Sequence, residues 1–382
     1  MTLPLSGITV VEIGHSVAGP FAGQVLGDLG ARVVKVENPA SGDDARAWGP
    51  PFWHGSSATF QSLNRNKLSV AVDLKDAAEC ARLREFIVRE ADVVIQNMRP
   101  GLVERYGIDS RLREHSPRIV YCNLGAFGAD GPLADRPGYD PLMQAFGGIM
   151  SITGEAGRPP VRVGPSIVDI GGGMWSVIGI LAALQTRNRT GEGCVVDTSL
   201  FETSLAWMTV PVALQMASGR DPGRTGSEAA MIVPYKAYRA ADKYLIIAAG
   251  NDALFRRFAD AVGRPEWSKD ARFADNASRV THRDALNAII DELVLQQPAD
   301  HWFALLDAAG VPAAPLHTVS EMLAHPQTQA LGMVQPVGDG AMRLMGLPLR
   351  FNGERPPFRS PPPTLGADTA LLEAPSGSEK RT

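Results

Sequence analysis

The 382-residue chain reads as an α/β protein built on a parallel sheet, followed by a smaller α+β unit. Three observations predict this. Short apolar runs alternate with helix-length segments from residue 8 to residue 124, the pattern of a parallel sheet with helices on both faces. A Gly-rich polar stretch at 218–230 reads as a linker. After it come a hairpin-like pair of runs and three more helical segments.

The first run, ITVVEI at 8–13, ends at Gly14 and reads as a buried strand. PFAGQVLGDLG at 20–30 reads as a helix and RVVKVE at 32–37 as the next strand. The unit repeats with VAVDL at 70–74, a helix from Asp76 to Glu90, VVIQN at 93–97 and RIVYCNL at 118–124. Asp169 to Arg187 reads as a long apolar helix stopped by Gly191 and Gly193. VVDTSL at 195–200 begins another strand or helix. Residues 1–217 thus form a large domain, and 218–329 a linker and small domain. The small domain holds a hairpin at 235–249 and helices near 253–262, 283–296 and 299–309. The Pro-rich segment 354–366 is expected to be extended, and 375–382 to be disordered.

Composition narrows the function. Hydrophobic residues are 45% and charged residues 20%, ordinary for a globular protein. A net charge of −4 gives no general attraction to nucleic acid or an anionic membrane, so a phosphate-bearing ligand needs a local basic cluster. Cys80, Cys122 and Cys194 are odd in number and form no CxxC pair. That argues against a zinc knot or disulfide framework and fits a reducing cytoplasm. The start MTLPLSGITVVEIG lacks the marks of a signal peptide. The apolar stretch from Ile170 to Leu184 falls short of the ~20 residues that cross a bilayer.

One motif misleads. Gly14, Gly19 and Gly23 follow a strand, and Glu37 ends the next strand, as in a dinucleotide fingerprint. GHSVAG is not GxGxxG, however, because Ser16 stands where the close-approach glycine belongs. A plain strand–helix turn explains the glycines equally. A different nucleotide-containing ligand at the same sheet edge is the better functional reading.

The motifs together resemble a known family. VVEIGHSVAGPFAGQVLGDLGARVVKVENPASGDDAR at the start, NRNKLSVAVDLKD at 64–76, QNMRPGLVERYGID at 96–109 and RPGYDPLMQAFGGIMSITG at 136–154 carry the likeness. PSIVDIGGGMWSVIGILAALQTRNRTGEGCVVDTSLFE at 165–202 extends it. In this order and spacing they resemble the family III CoA-transferases, the CaiB/BaiF type. The resemblance implies a Rossmann-like large domain completed by the C-terminal segment 330–382, a small domain, and two protomers interlocked as an obligate homodimer. It implies a coenzyme A thioester as substrate, with no permanently bound cofactor.

Asp169 is the expected nucleophile. A side-chain carboxylate lets a thioester and a free acid exchange through covalent intermediates. Asp169 is read as preceding a helix, whose dipole favours the anion. Gly171, Gly172 and Gly173 would let a ligand approach the backbone and donate amides to an oxyanion. Read without the resemblance, Asp169 is a helix N-cap. The resemblance also implies that His15, Ala18, Val72, Asn97 and Met98 line the CoA groove. It sets Lys75, Arg105 and, more loosely, Arg136 near the adenosine phosphates. Asn38 stands where some members carry a basic residue. His15 is the one histidine of seven in a strong motif, so no metal site is expected.

Tyr139 and Asp140 bear on reaction type. The related α-methylacyl-CoA racemases have a histidine base at the position of Tyr139. A phenol of pKa ~10 is a poor base for an α-proton. Asp140 assists in the acyl pocket or caps the following helix. AAGNDALF at 248–255 retains only Gly250 of the glycine-rich loop that covers the site in formyl-CoA transferases. GDDARAWGPPFW with NRNK resembles members that use succinyl-CoA and dicarboxylic acids. The rival readings are an α-methylacyl-CoA racemase and a non-catalytic CoA-binding protein.

Overall fold

A computed structural model describes residues 2–373 and divides into two compact units. The first contains the chain up to residue 149, residues 162–218, and the chain from 329 onward. The second contains 150–161 and 219–328. The expected disorder at 375–382 lies outside the described residues.

Six parallel strands form the first unit's sheet: β1 (Thr9–Ile13), β2 (Arg32–Glu37), β3 (Lys67–Ala71), β4 (Val93–Gln96), β5 (Val120–Gly125) and β6 (Val195–Ser199). Their spatial order is β3-β2-β1-β4-β5-β6. The order reverses direction between β1 and β4, which opens a crevice at the strands' C-terminal ends. Side chains alternate across the sheet and split its core in two. Val10, Val33, Ile95 and Cys122 pack on one face with Leu26 of α1 (Ala18–Asp28). Val11, Val34, Val94 and Tyr121 pack on the other with Leu83 and Phe86 of α2 (Ala77–Glu90) and Val103 of α3 (Leu102–Tyr106).

The strand expected at 70–74 runs instead over 67–71. Its start was hidden by Lys67, a charged residue that is fully buried. Its end is set by Asp73, whose carboxylate accepts from the Lys75 amide, and by Asp76, which caps α2 through the Ala78 and Glu79 amides. At this edge the C-terminal segment joins the sheet. Ser69 donates to Asp368 and Ala71 to Thr369, each at 2.9 Å, and the Asp368 amide donates back to the Ser69 carbonyl.

Two further helices matter for the site: α4 (Asp140–Phe146) and α5 (Ile167–Thr190). After β6 come α6 (Leu200–Trp207) and α7 (Thr209–Ser218). By length and composition α5 is apolar enough to cross a bilayer, unlike the shorter stretch read from sequence. Its packing gives it another place: half of the apolar window is buried, and Val177, Ile180 and Leu184 join the sheet core. Its other face leaves Met174, Trp175 and Ile178 exposed. Leu205 and Trp207 of α6, which packs on α5, are exposed too, and α7 has no buried residue at all.

Buried charges organise the C-terminal edge of the sheet. Lys35 on β2 pairs with Glu12 on β1 and with Asp43, both at 2.8 Å, and donates to the Gly14 carbonyl. Lys67 pairs with the other oxygen of Glu12 at 2.8 Å. All four side chains are sealed from water. Burial disfavours the charged lysines, yet Glu12 and Asp43 hold Lys35 above the usual lysine pKa. Lys67, facing Lys35 as well as Glu12, is pushed down to about 8 by its burial.

The second unit is α+β by itself. β7 (Tyr235–Arg239), β8 (Tyr244–Ala248) and β9 (Ala313–Pro315) form an antiparallel sheet in the order β9-β8-β7. Phe255 and Phe258 of α8 (Asp252–Ala261), Ile290 of α9 (Arg283–Val294) and Trp302 of α10 (Ala299–Ala308) pack with its strands. Residues 150–161, read from sequence as part of the large domain, belong here. Gly226 donates to the Gly154 carbonyl and Arg224 to the carbonyls of Glu155 and Arg158. In the 248–255 segment, Asn251 caps α8 and Asp252 pairs with the buried Arg279.

The glycine of the false fingerprint has a packing reason. A Cβ on Gly23 would stand 1.9 Å from Glu12 Oε2. Gly23→Ala should therefore break the buried charge chain and cost about 3 kcal/mol or more in urea unfolding. Gly250→Ala, where a Cβ meets open space, should cost far less. Equal stability of the two variants would contradict this account.

Candidate active site

Strand ends build the site. Beyond β1 the chain turns through Gly14, His15 and Ser16, and Ser16 takes the left-handed φ of +71°. Such a conformation costs a non-glycine residue ~1–2 kcal/mol, so it needs outside support. Asp43 supplies it by accepting from the Ser16 amide at 2.9 Å. Asn97, just past β4, grips the same turn from both sides. It accepts from the His15 amide and donates to the His15 carbonyl, both at 3.0 Å. Gly14 and Gly19 leave room for the Asn97 side chain, which a Cβ on either would crowd to 3.2–3.3 Å.

Glu37, the acid that a dinucleotide site would offer to a ribose, is already committed. Arg46 binds both its oxygens at 2.7 Å, Ser69 donates to one, and the Asp43 amide donates to the other. Burial opposes its charge, but Arg46 and Lys35 outweigh that and hold its pKa low. The residues of the apparent fingerprint serve packing and charge pairing.

Two adjoining cavities open at this edge, sharing His15 and Met98 in their walls. The first, about 220 Å³, brings together His15, Ala18, Asn97, Met98, Arg136, Tyr139, Asp140 and Asp169. The second, about 290 Å³, includes Val72 and Lys75 along with Asn38, Tyr106 and Asp43. Thus most of the sequence-predicted site residues meet in one crevice. Arg105 lies on α3 beside Tyr106 and lines neither cavity.

Gly171 and Gly172 also stand apart from both cavities. A Cβ on Gly171 would strike Thr203 and Trp207 at 2.8 Å, and one on Gly172 would meet Leu200 at 3.1 Å. Gly173 similarly faces the Ala18 carbonyl at 2.8 Å. These glycines admit neighbouring helices, not a ligand. They sit inside α5, where the amides serve the helix ladder, so the expected oxyanion role is not available to them.

Asp169 itself departs from expectation. It occupies the third position of α5, after the cap residue Ser166, and neither precedes nor caps the helix. The cap comes from afar: Asp140 Oδ2 accepts from the Val168 amide at 2.8 Å and from the Asp169 amide at 3.3 Å. Asp140 therefore caps α5, not the helix that follows it. The dipole of the helix end still favours an anion at this first-turn position, but it is outweighed. Burial first, and the Asp140 charge second, push its carboxyl pKa up to about 7. His15 contacts the Ser16 hydroxyl through Nδ1 at 3.0 Å, and burial lowers its pKa despite Asp43 and Asp44, so it is neutral at neutral pH.

Among the cavity residues that sequence reading missed are Trp48, Arg99 and Ser166. Arg99 follows Met98 directly and brings a second guanidinium, beside Arg136, to the Asp169 cavity. Its signal was the tetrapeptide NMRP, where the strand ends and the crevice begins.

The raised pKa of Asp169 has a stability consequence. Its folded value of about 7 lies above the ordinary 3.8. Between those values the unfolded chain has released a proton that the folded chain keeps, so stability falls as pH rises. Asp169→Asn removes that loss. The variant's melting temperature should exceed the parent's by a margin that grows from pH 4 to pH 7 and then levels off. A margin independent of pH would show that the carboxyl is not strained.

Comparison with known proteins identifies the family. A family model described as CoA-transferase family III matches residues 5–369. The acetyl-CoA:oxalate CoA-transferase of Acetobacter aceti is 39% identical, over 97% of this chain and 95% of its own. The succinate–glutarate CoA-transferase of Agrobacterium fabrum is also 39% identical, over 99% and 97%. The crystal structure of a CaiB/BaiF family protein from Brucella suis superposes with a TM-score of 0.88 at 40% identity, covering 98% of this chain and 99% of that one. The chain belongs to the family III CoA-transferases, and it moves CoA from an acyl-CoA to a free carboxylic acid.

Proposed function

We propose that Asp169 is the covalent nucleophile of this transfer. The observation that carries the reading is a carboxyl group on the cavity wall at the sheet's C-terminal edge, with a pKa raised to about 7 and no bonded donor among the described residues. Asp169 attacks the thioester carbonyl, the C–S bond breaks, and a mixed anhydride forms with release of CoA thiolate. The thiolate then attacks the aspartyl carbonyl, giving an aspartyl thioester and freeing the donor acid. The acceptor carboxylate attacks that thioester to form a second anhydride and again release the thiolate. Attack of the thiolate on the acceptor's acyl carbon gives the new acyl-CoA and restores Asp169.

CoA lies across the two cavities in this reading. Val72 and Met98 flank its path, Ala18 and Asn97 line the thioester end, and Lys75 in the second cavity wall meets the adenosine phosphates as a charge-assisted donor, with Arg105 outside both cavities but next to the lining residue Tyr106. Tyr139 supplies a phenol where racemisation would need a base, which favours transfer. The donor is succinyl-CoA and the acceptor a short dicarboxylic acid. The names of the two relatives, which include oxalate, succinate and glutarate, support that class. So do Arg99 and Arg136, which offer positive charge for a second carboxyl group in the Asp169 cavity. The protein works as an interlocked homodimer in the cytoplasm. The exposed apolar side chains on the successive helices α5, α6 and α7 support the dimer, because monomers rarely expose so many large apolar groups on neighbouring elements.

Asp169→Ala should lose transfer by three orders of magnitude or more while still binding CoA, the order of loss seen when a covalent nucleophile is removed. Acyl-CoA followed by hydroxylamine should mark Asp169 of the parent enzyme as a hydroxamate, read by mass spectrometry across a panel of mono- and dicarboxylic acids. Retained transfer by the variant would remove Asp169 from the mechanism. Assembly has its own check. Sedimentation at nanomolar concentration should find a dimer, and a folded, active monomer would refute it.

A further inference from the structure

An aspartate in the first turn of a helix ordinarily draws on free backbone amides, and two or three such bonds hold a carboxylate well below its usual pKa. The start of α5 has none to give. Ile167 donates to the Pro165 carbonyl at 2.8 Å and Ile170 to the Ser166 carbonyl at 2.9 Å. The amides of Val168 and Asp169 itself both go to Asp140 Oδ2. Asp140 is 2% exposed and firmly held. Its other oxygen accepts from Gln144 Nε2 at 2.6 Å, and Gln144 Oε1 accepts from the Val163 amide at 2.8 Å. One buried pair on α4 thus ties down the strap before α5 and its first turn.

We propose that Asp140 is a positioning residue for the nucleophile: it occupies the amides that open α5 with its own charge, and so leaves the Asp169 carboxylate unbonded and strongly nucleophilic. The proposal rests on the assignment of Asp169 as nucleophile. A carboxylate that capped its own helix would be ionised at any working pH but blunted by its donors. Turning that duty over to Asp140 separates the two tasks. The other charged or titratable groups in the cavity wall are His15 and Arg99 from the ends of β1 and β4, and Arg136 and Tyr139 from the segment before α4. α6 presents Leu200, Thr203 and Trp207 to the glycines of α5, all neutral. Burial and the Asp140 charge together push Asp169 up to about 7.

The test is the pH dependence of aspartyl hydroxamate formation in the parent, Asp140→Asn and Asp140→Ser, with thermal unfolding as a check on folding. Both variants keep an atom able to cap α5 but lose the charge. The midpoint of the acid limb should move down by about one pH unit, the share that the Asp140 charge adds to the larger effect of burial, and the plateau rate should fall by roughly tenfold. A slower rate with the midpoint unmoved would reduce Asp140 to a structural residue and overturn the proposal. If neither variant folds, the parent labelled with ¹³C at aspartate carboxyls decides the matter, its Asp169 signal identified by its absence from Asp169→Asn. Titration near 7 supports the proposal and titration at 4 or below overturns it. Failure of the underlying assignment would look different, because Asp169→Asn would then still transfer CoA.

Discussion

The chain Lys67–Glu12–Lys35–Asp43 is the constraint on which the crevice depends. Two cations and two anions lie out of reach of water, each within 2.8 Å of an opposite charge. Any one left without its partner would bear the full cost of desolvation, several kcal/mol. Other features answer to that need. Gly23 must lack a side chain so that Glu12 can enter. Lys35 pulls on the Gly14 carbonyl, and Asp43 holds Ser16 in its left-handed turn. The position of His15 at the meeting of the two cavities is therefore set by charged side chains that are themselves sealed from water.

Asp169 presents the opposite arrangement. Charge is cancelled under β1, whereas at the start of α5 two carboxyl groups face each other and only one is satisfied. Burial and mutual repulsion make the unsatisfied one costly to ionise. A transferase has a use for such a group, since a carboxylate that is poorly solvated reacts more readily with a carbonyl. Stability is given up at one residue, and the compensated network a few strands away restrains the scaffold around it.

The sheet was legible because apolar runs mark buried parallel strands: β1, β2, β4 and β5 lie close to the strands read from sequence, whereas the partly exposed β6 was left open between strand and helix. β3 was misplaced because Lys67 looked like a surface residue. Nothing local reveals that a lysine is enclosed by an acid 55 positions earlier. The site was legible as a set of motifs: eight of the thirteen expected residues line the Asp169 cavity, and His15 and Met98 reach the second as well. What could not be read was orientation. The triple glycine looked like a ligand-facing loop, yet its missing side chains face Thr203, Leu200 and Ala18. The cap on α5 escaped notice because it arrives from 28 residues upstream.

The closure of the sheet edge bears on how this protein is made. Ser69 and Asp368 are 299 positions apart, and their bonds seal β3. A chain emerging from the ribosome will have all six strands available long before residue 368 appears. Through most of synthesis the nascent sheet carries an open edge, the kind that pairs with other chains. The second unit, whose residues are nearly contiguous, is free to fold during that wait. The large unit is completed last, from both ends of the polypeptide at once, and a truncation just before residue 368 would leave an intact set of strands with an unguarded border.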